Sequence, residues 1–339
     1  MTAPAGEGLT VSVVIPAYNQ GPYLARTLEA LWAQTRLPDE VIVVDDGSTD
    51  DTPAVLEAVQ AAGTPVPLLV IRQPNRGPGA ARNRGVAAAR GAILAFTDAD
   101  AVPRPEWIQE GLQPFLHHPD VAGVEGRVYD DAQPEARPRP FTHQVRNLYG
   151  GQYLTCNMFY RREALERAGG FDDRFPVPFR EDTDLALTVL EQGGRIVFQP
   201  RAVVDHPPRP SSIRGVLGEA RRHMADARLW AKHGARLRAG LGGFLPPSEL
   251  LVTAGDLLVP AGAVLGSWVL VLAGSLAWLF GVPRVVLGWL EGKAYDVREY
   301  ALVVGLSLVL PVLCLGYRLA GWVQLKAGGA LAAPRPPVL

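Results

Sequence analysis

Up to about residue 207 the apolar positions switch repeatedly between short unbroken runs and helically spaced ones. Residues 10–16 read as a strand, and residues 22–34 as a helix with Leu24, Leu28 and Leu31 on one face. A fully apolar strand at 41–44 ends in Asp45-Asp46-Gly47-Ser48, and Thr52-Pro53 then supplies a helix start. A strand at 68–71, a helix at about 79–89, a strand at 93–96 and one at 195–198, extended to 204, continue the series. Strands alternating with helices predict an α/β fold, with a mostly parallel sheet covered by helices on both faces. Ligands of such sheets bind beyond the carboxyl ends of the strands, where Asn19, Asp45, Asp46, Asp98 and Asp100 fall.

The pattern changes near the far end. Residues 257–280 contain no charged side chain and are long enough for a bilayer core of ~30 Å. A second run, 300–317, is marginal in length and includes Pro311, which a membrane helix tolerates. Tyr300, Tyr317 and Trp322 near its ends suit the headgroup zone. The expectation is a transmembrane hairpin of two helices within residues 251–326; a buried hairpin of a soluble domain is the alternative. Arg209, Arg214, Arg221, Arg222, Arg228, Lys232, Arg236 and Arg238 precede the first run, and positive flanks stay cytoplasmic. That predicts a multi-pass protein of the cell (inner) membrane with its residues 9–207 domain in the cytoplasm. Residues 208–250 form a basic linker that suits the membrane surface or a plain solvated helix. Residues 1–8 and 327–339 are expected to be flexible ends.

Charge excludes one partner class: 33 Lys and Arg against 34 Asp and Glu leave a net charge of -1, which does not favour nucleic acid. Cys156 and Cys314 are too few and too far apart for a disulfide framework or a zinc site. The N-terminus lacks the basic and apolar regions of a secretory signal.

Candidate chemistry lies at the strand ends. In an extended Asp98-Ala99-Asp100 both carboxylates face one way, and hard oxygen ligands suit Mn²⁺ or Mg²⁺ with phosphate; a turn or capping pair is the bland alternative. Arg76 and Arg82 lie in a glycine-rich stretch and match phosphate oxygens, although a surface ion pair explains one of them equally well. That stretch, Gly77-Pro78-Gly79-Ala80-Ala81-Arg82, lacks the third glycine of a dinucleotide fingerprint and follows a later strand. Glu181 and Asp182 open an apolar-periodic stretch, so the positive helix end is expected to keep Asp182 ionised, unless the pair merely caps the helix.

Four blocks, Val13-Val14-Ile15-Pro16-Ala17-Tyr18-Asn19, Val43 to Asp50, Asn75-Arg76-Gly77 through Asn83, and Phe96-Thr97-Asp98-Ala99-Asp100, resemble in order the motifs of family 2 glycosyltransferases with the GT-A fold. The resemblance covers about the first 207 residues. It implies that Pro16, Ala17 and Tyr18 line a nucleotide pocket, that Asp45 or Asp46 accepts from the base, and that Asp98 faces ribose or metal. Asp100 would ligate the metal, and His206 sits where related enzymes often place another ligand. Asn157, Arg161 to Ala164, Gly169 to Asp172 and Glu181 to Asp184 resemble the later, acceptor-side blocks, with Asp182 matching the catalytic base.

The expected activity is therefore inverting transfer of a sugar from a nucleotide-diphosphate donor to a hydroxyl, aided by Mn²⁺ or Mg²⁺. A membrane tail favours a lipid or lipid-linked acceptor. No Gln-x-x-Arg-Trp motif occurs, so a single addition is expected. The other classes to weigh are a non-catalytic nucleotide-sugar-binding protein and an NAD-dependent oxidoreductase with a membrane tail.

Overall fold

The computed structural model describes residues 8–130, 142–143, 145–175, 179–240, 247–290 and 297–327. The expectations for residues 1–7 and 328–339 lie outside these, as does part of the basic linker, 241–246. The chain divides into two compact units, residues 1–132 with 144–208 and residues 133–143 with 209–339.

The first unit opens with β1 (Val11–Ala17), α1 (Gly21–Trp32), β2 (Glu40–Asp45), α2 (Thr52–Ala62), β3 (Leu68–Arg72), α3 (Pro78–Ala88) and β4 (Ile93–Phe96). Then come β5 (Val102–Pro103), α4 (Trp107–His117) and β6 (Val121–Tyr129). The next strand, β7 (Thr142–His143), belongs to the second unit. After it the first unit resumes with β8 (Met158–Arg161), α5 (Arg162–Ala168), α6 (Glu181–Glu191) and β9 (Arg195–Asp205).

Eight strands form one sheet in the order β3-β2-β1-β4-β8-β6-β9-β5. Pairing is parallel from β3 to β4, reverses on both sides of β8, and is parallel again between β6 and β9. Two reversals restore direction, so β1, β2, β4, β6 and β9 all end at one edge. Side-chain alternation builds a core on each face. Val11, Val13 and Ile15 meet Leu24, Leu28 and Leu31 of α1 and Trp107 and Leu112 of α4. Val14, Val44 and Phe96 point the other way, onto Ala81 of α3, Leu165 of α5 and Leu185 of α6. Each such leucine, wholly withdrawn from water, contributes about 1.5–3 kcal/mol.

In the second unit β7 pairs with β10 (Arg209–Pro210). It continues with α7 (Ile213–Glu219), a tight turn at Ala220–His223, α8 (Met224–Gly240), α9 (Pro247–Leu265), α10 (Trp268–Leu290) and α11 (Val297–Lys326). Among the described residues three helices are long and apolar enough to cross a membrane, where the sequence reading had two. The run 257–280 is not one helix: Gly266, at φ 62°, reverses the chain and splits it between α9 and α10. Hydropathy cannot register such a turn, because glycine and serine carry no charge to interrupt the run.

Candidate active site

The common strand edge gathers acids from distant parts of the chain. Asp98 and Asp100 follow β4, and His206 follows β9; one ligand atom from each lies within 4.8 Å of the others. His206 Nε2 sits 3.5 Å from Asp100 Oδ1, and its buried Nδ1 has no hydrogen-bond partner. Two hard carboxylates and an imidazole are a donor set that fits Mn²⁺, so the residues suit the implied cation. Burial pushes the Cys156 thiol well up, and the charges of Asp98, Asp100 and Asp182 add to the rise.

Asp182 stands in the first turn of α6, whose cap, Arg180, adopts the left-handed conformation at φ 78°. Its Oδ1 accepts from the Thr183 backbone N–H at 2.7 Å. A second influence opposes the helix end that was expected to keep Asp182 ionised. Burial is the largest influence and raises its carboxyl above the usual range, against the lowering effects of Thr183, Arg82 and Arg180. Glu181 beside it is pushed up to about 7 by burial and by the Asp182 charge, with Arg82 pulling the other way.

Arg82 is buried and pairs with two acids of the chain. Its Nη1 donates to Glu181 Oε1 at 2.8 Å and its Nη2 to Asp98 Oδ1 at 3.0 Å, with Phe171 beneath the guanidinium. It therefore joins the two acid groups across the site. Arg76 is exposed and pairs with Asp173 at 3.6 Å, the surface ion pair that the sequence left open for one of the two.

Asp45 and Asp46 are buried; Asp45 holds its own turn, and Asp46 holds the loop that follows β3. Asp45 Oδ1 accepts from Ser48 N–H, and Arg72 approaches its Oδ2 at 3.3 Å. Asp46 accepts from Gln73 Nε2 and from the Arg76 and Gly77 backbone N–H groups. Pro16 is half-buried, Ala17 is buried at the end of β1, and Tyr18 presents its ring to solvent. Asn157 departs furthest from expectation. It is 0% exposed, and its amide accepts from Trp107 Nε1 and donates to the carbonyls of Arg127 and Ala202. With those bonds made, Asn157 knits α4, β6 and β9 together and does not face an acceptor.

Sequence reasoning missed Glu125. This buried acid of β6 accepts from Asn147 Nδ2 and the backbone N–H groups of Gly151, Gln152 and Tyr153. A lone acid inside Val121-Ala122-Gly123-Val124-Glu125 was the available signal, since an unpaired carboxylate there is costly. Arg180 had no comparable signal, because its backbone conformation is a tertiary outcome.

Two family profiles match the chain: glycosyl transferase family 2 over residues 12–169, and glycosyl transferase family group 2 over residues 93–313. The chain belongs to glycosyl transferase family 2. Among the relatives of this glycosyltransferase is succinoglycan biosynthesis protein ExoO of Rhizobium meliloti, 32% identical over 61% of this chain and 63% of that one. Glycosyltransferase AglE of Haloferax volcanii is 30% identical over 59% and 67%. Pre-mycofactocin glycosyltransferase of Mycobacterium tuberculosis is 29% identical over 84% of this chain but 56% of its own length. The chain thus spans between about half and two thirds of these relatives. In fold it resembles mannosyltransferase PcManGT from Pyrobaculum calidifontis in complex with GDP-Man and Mn²⁺, with TM-score 0.54, 22% identity and coverage of 94% and 88%. It also resembles S. aureus TarS 1–349 in complex with UDP-GlcNAc, with TM-score 0.51, 18% identity and coverage of 95% and 93%. The mixed sheet is thus the GT-A fold expected from the motifs.

Proposed function

We propose that this glycosyltransferase moves a sugar, with inversion, from a nucleotide-diphosphate sugar onto the hydroxyl of a lipid-linked acceptor at the cytoplasmic face of the inner membrane. The observation that carries the reading is the cluster of Asp98, Asp100 and His206, tied through Arg82 to Glu181, the neighbour of Asp182. Asp98, Asp100 and His206 would hold Mn²⁺ or Mg²⁺, which neutralises charge gathering on the departing diphosphate. Tyr18, with Pro16, Ala17 and the loop shaped by Asp45 and Asp46, forms the wall against the nucleotide. Arg82 and Glu181 act behind that wall by fixing Asp98 relative to the first turn of α6.

Asp182 is the base. Thr183 holds its Oδ1, which leaves Oδ2 to take the acceptor's hydroxyl proton. The acceptor oxygen bonds to the anomeric carbon as the bond to the diphosphate oxygen breaks on the opposite side, so configuration inverts. A carboxyl pushed up by burial is a stronger base than an exposed aspartate, which favours proton transfer near neutral pH. Apolar helices and the basic flank at 209–238 support a membrane-bound acceptor.

Asp182→Asn tests the assignment. With extracted membrane lipids, labelled UDP- and GDP-sugars and Mn²⁺, transfer should fall roughly 10²- to 10⁴-fold while nucleotide affinity is retained. Undiminished turnover by the purified variant removes Asp182 from this role.

A further inference from the structure

Between β6 and β8 the chain forms a short loop, residues 147–153, whose construction exceeds what a connection needs. Asn147 makes a backbone bridge to Val128 near the end of β6, and its Oδ1 accepts from Gly150 N–H at 3.0 Å. Glu125 takes the four donors named above, a buried carboxylate committed to one loop. Gly150, Gly151 and Tyr153 hold φ of 80°, 87° and 57°. A side chain at Gly150 would meet Phe198 of β9 at 2.9 Å, so the loop lies hard against the sheet. Amid this fixed backbone Tyr149 is 88% exposed and Gln152 is exposed too. Leaving a large aromatic ring in water gains nothing for folding.

The loop's position is informative. β8 begins opposite the last residue of β4, so the chain just before it lies at the edge from which Asp98 and Asp100 project. Val128, which the Asn147 backbone bridges, is the last residue but one of β6 and so lies at that same edge.

Resting on the function proposed above, the geometry points to Tyr149 as an acceptor-binding residue that stacks on a pyranose ring, so that the acceptor already carries a sugar. A rigid aromatic face gives contact area to the C–H face of a sugar at little entropic cost, and Gln152 offers an amide to the hydroxyls. A prior glycosyl transfer onto the carrier must then supply the substrate. Tyr149 is the contact, and Glu125 is the positioning residue beneath it.

The test uses the full chain in lipid nanodiscs and saturation-transfer NMR. Hexyl pyranosides of glucose, galactose, mannose and N-acetylglucosamine serve as probes, and 1-hexanol as the sugar-free control. Ring protons of at least one pyranoside should be saturated by the unaltered protein and by Tyr149→Phe. Tyr149→Ala should lower that signal at least threefold and leave hexanol unchanged. Equal ring-proton signals from Tyr149→Ala and the unaltered protein overturn the proposal, as does their absence from the unaltered protein. Hydrolysis of nucleotide sugars with Mn²⁺ on the same samples separates the two readings. Its absence from the unaltered protein counts against the proposed transfer and leaves the ring-proton result to decide on Tyr149.

Discussion

Glu181 precedes Asp182 in the chain and is tied to Asp98 through Arg82. It is buried against Arg82, its Oε2 has no partner, and its carboxyl is raised from 4.5 to about 7. Between those values the folded protein holds a proton that the unfolded chain has released. The sign follows: this group's stabilisation is complete below the unfolded value and is lost as pH rises through about 7. Chemical denaturation should therefore show stability falling between about pH 5 and about pH 8, by on the order of 2–3 kcal/mol from this group. Glu181→Gln should flatten that slope; an equally steep slope in the variant would show that the titration belongs elsewhere. At this scale the sequence was legible wherever chemistry was written in residue type and position together. Asp98, Asp100 and His206 converge as their motifs implied. Arg82, Asp46 and Asn157 illustrate the opposite case. Their residue types suit a ligand and a loop equally well, and only the tertiary neighbours decide which partner is nearer.

Elements were legible where their periodicity was clean. The strands at 10–16, 41–44, 68–71 and 93–96 and the helices between them lie within a few residues of β1 to β4 and α1 to α3. The stretch from Val102 to Ala168 was not resolved into elements, because β5 is two residues long and β8 reverses the sheet's direction, a feature without local signature. At the apolar end the described residues hold three long apolar helices where two were read. There α9 and α10 lie close together through small residues. A side chain at Gly262 would meet the Val271 backbone nitrogen at 2.7 Å, and one at Gly274 would meet Val259 Cγ2 at 2.8 Å. Trp278 Nε1 donates to Asp256 across the same seam at 2.9 Å. Within lipid, where apolar burial between helices gains little, such close approach is what holds a pair together. Gly274→Leu should force the helices apart at a cost of about 1–3 kcal/mol. The measurement is thermal unfolding in detergent; an unchanged midpoint would mean that this seam contributes no stability.

At the scale of the molecule, one ionic cluster constrains how α9, α10 and α11 could meet a bilayer. Arg318, on α11, is buried; its Nε donates to Asp226 of α8 at 2.8 Å and its Nη1 to Glu249 of α9 at 2.6 Å. Removing one partner from such a cluster costs about 3–5 kcal/mol, so the arrangement is not casual. If the three helices crossed in turn, the beginning of α9 and the far part of α11 would lie on opposite faces, roughly 30 Å apart. An ion pair of 2.6 Å between Glu249 and Arg318 instead requires both at one level. Placed in a bilayer, three apolar helices so tied would amount to an even traverse, as the two-helix hairpin read from the sequence would give. Cysteines introduced by Pro247→Cys and Lys326→Cys, both at exposed positions, should react with a membrane-impermeant thiol reagent from the same side of sealed vesicles. The native Cys156 and Cys314 are buried and give little background. Labelling from opposite sides would mean three complete crossings and a broken Glu249–Arg318 pair, and the acceptor hydroxyl would then have to be sought with a different disposition of the membrane helices in mind.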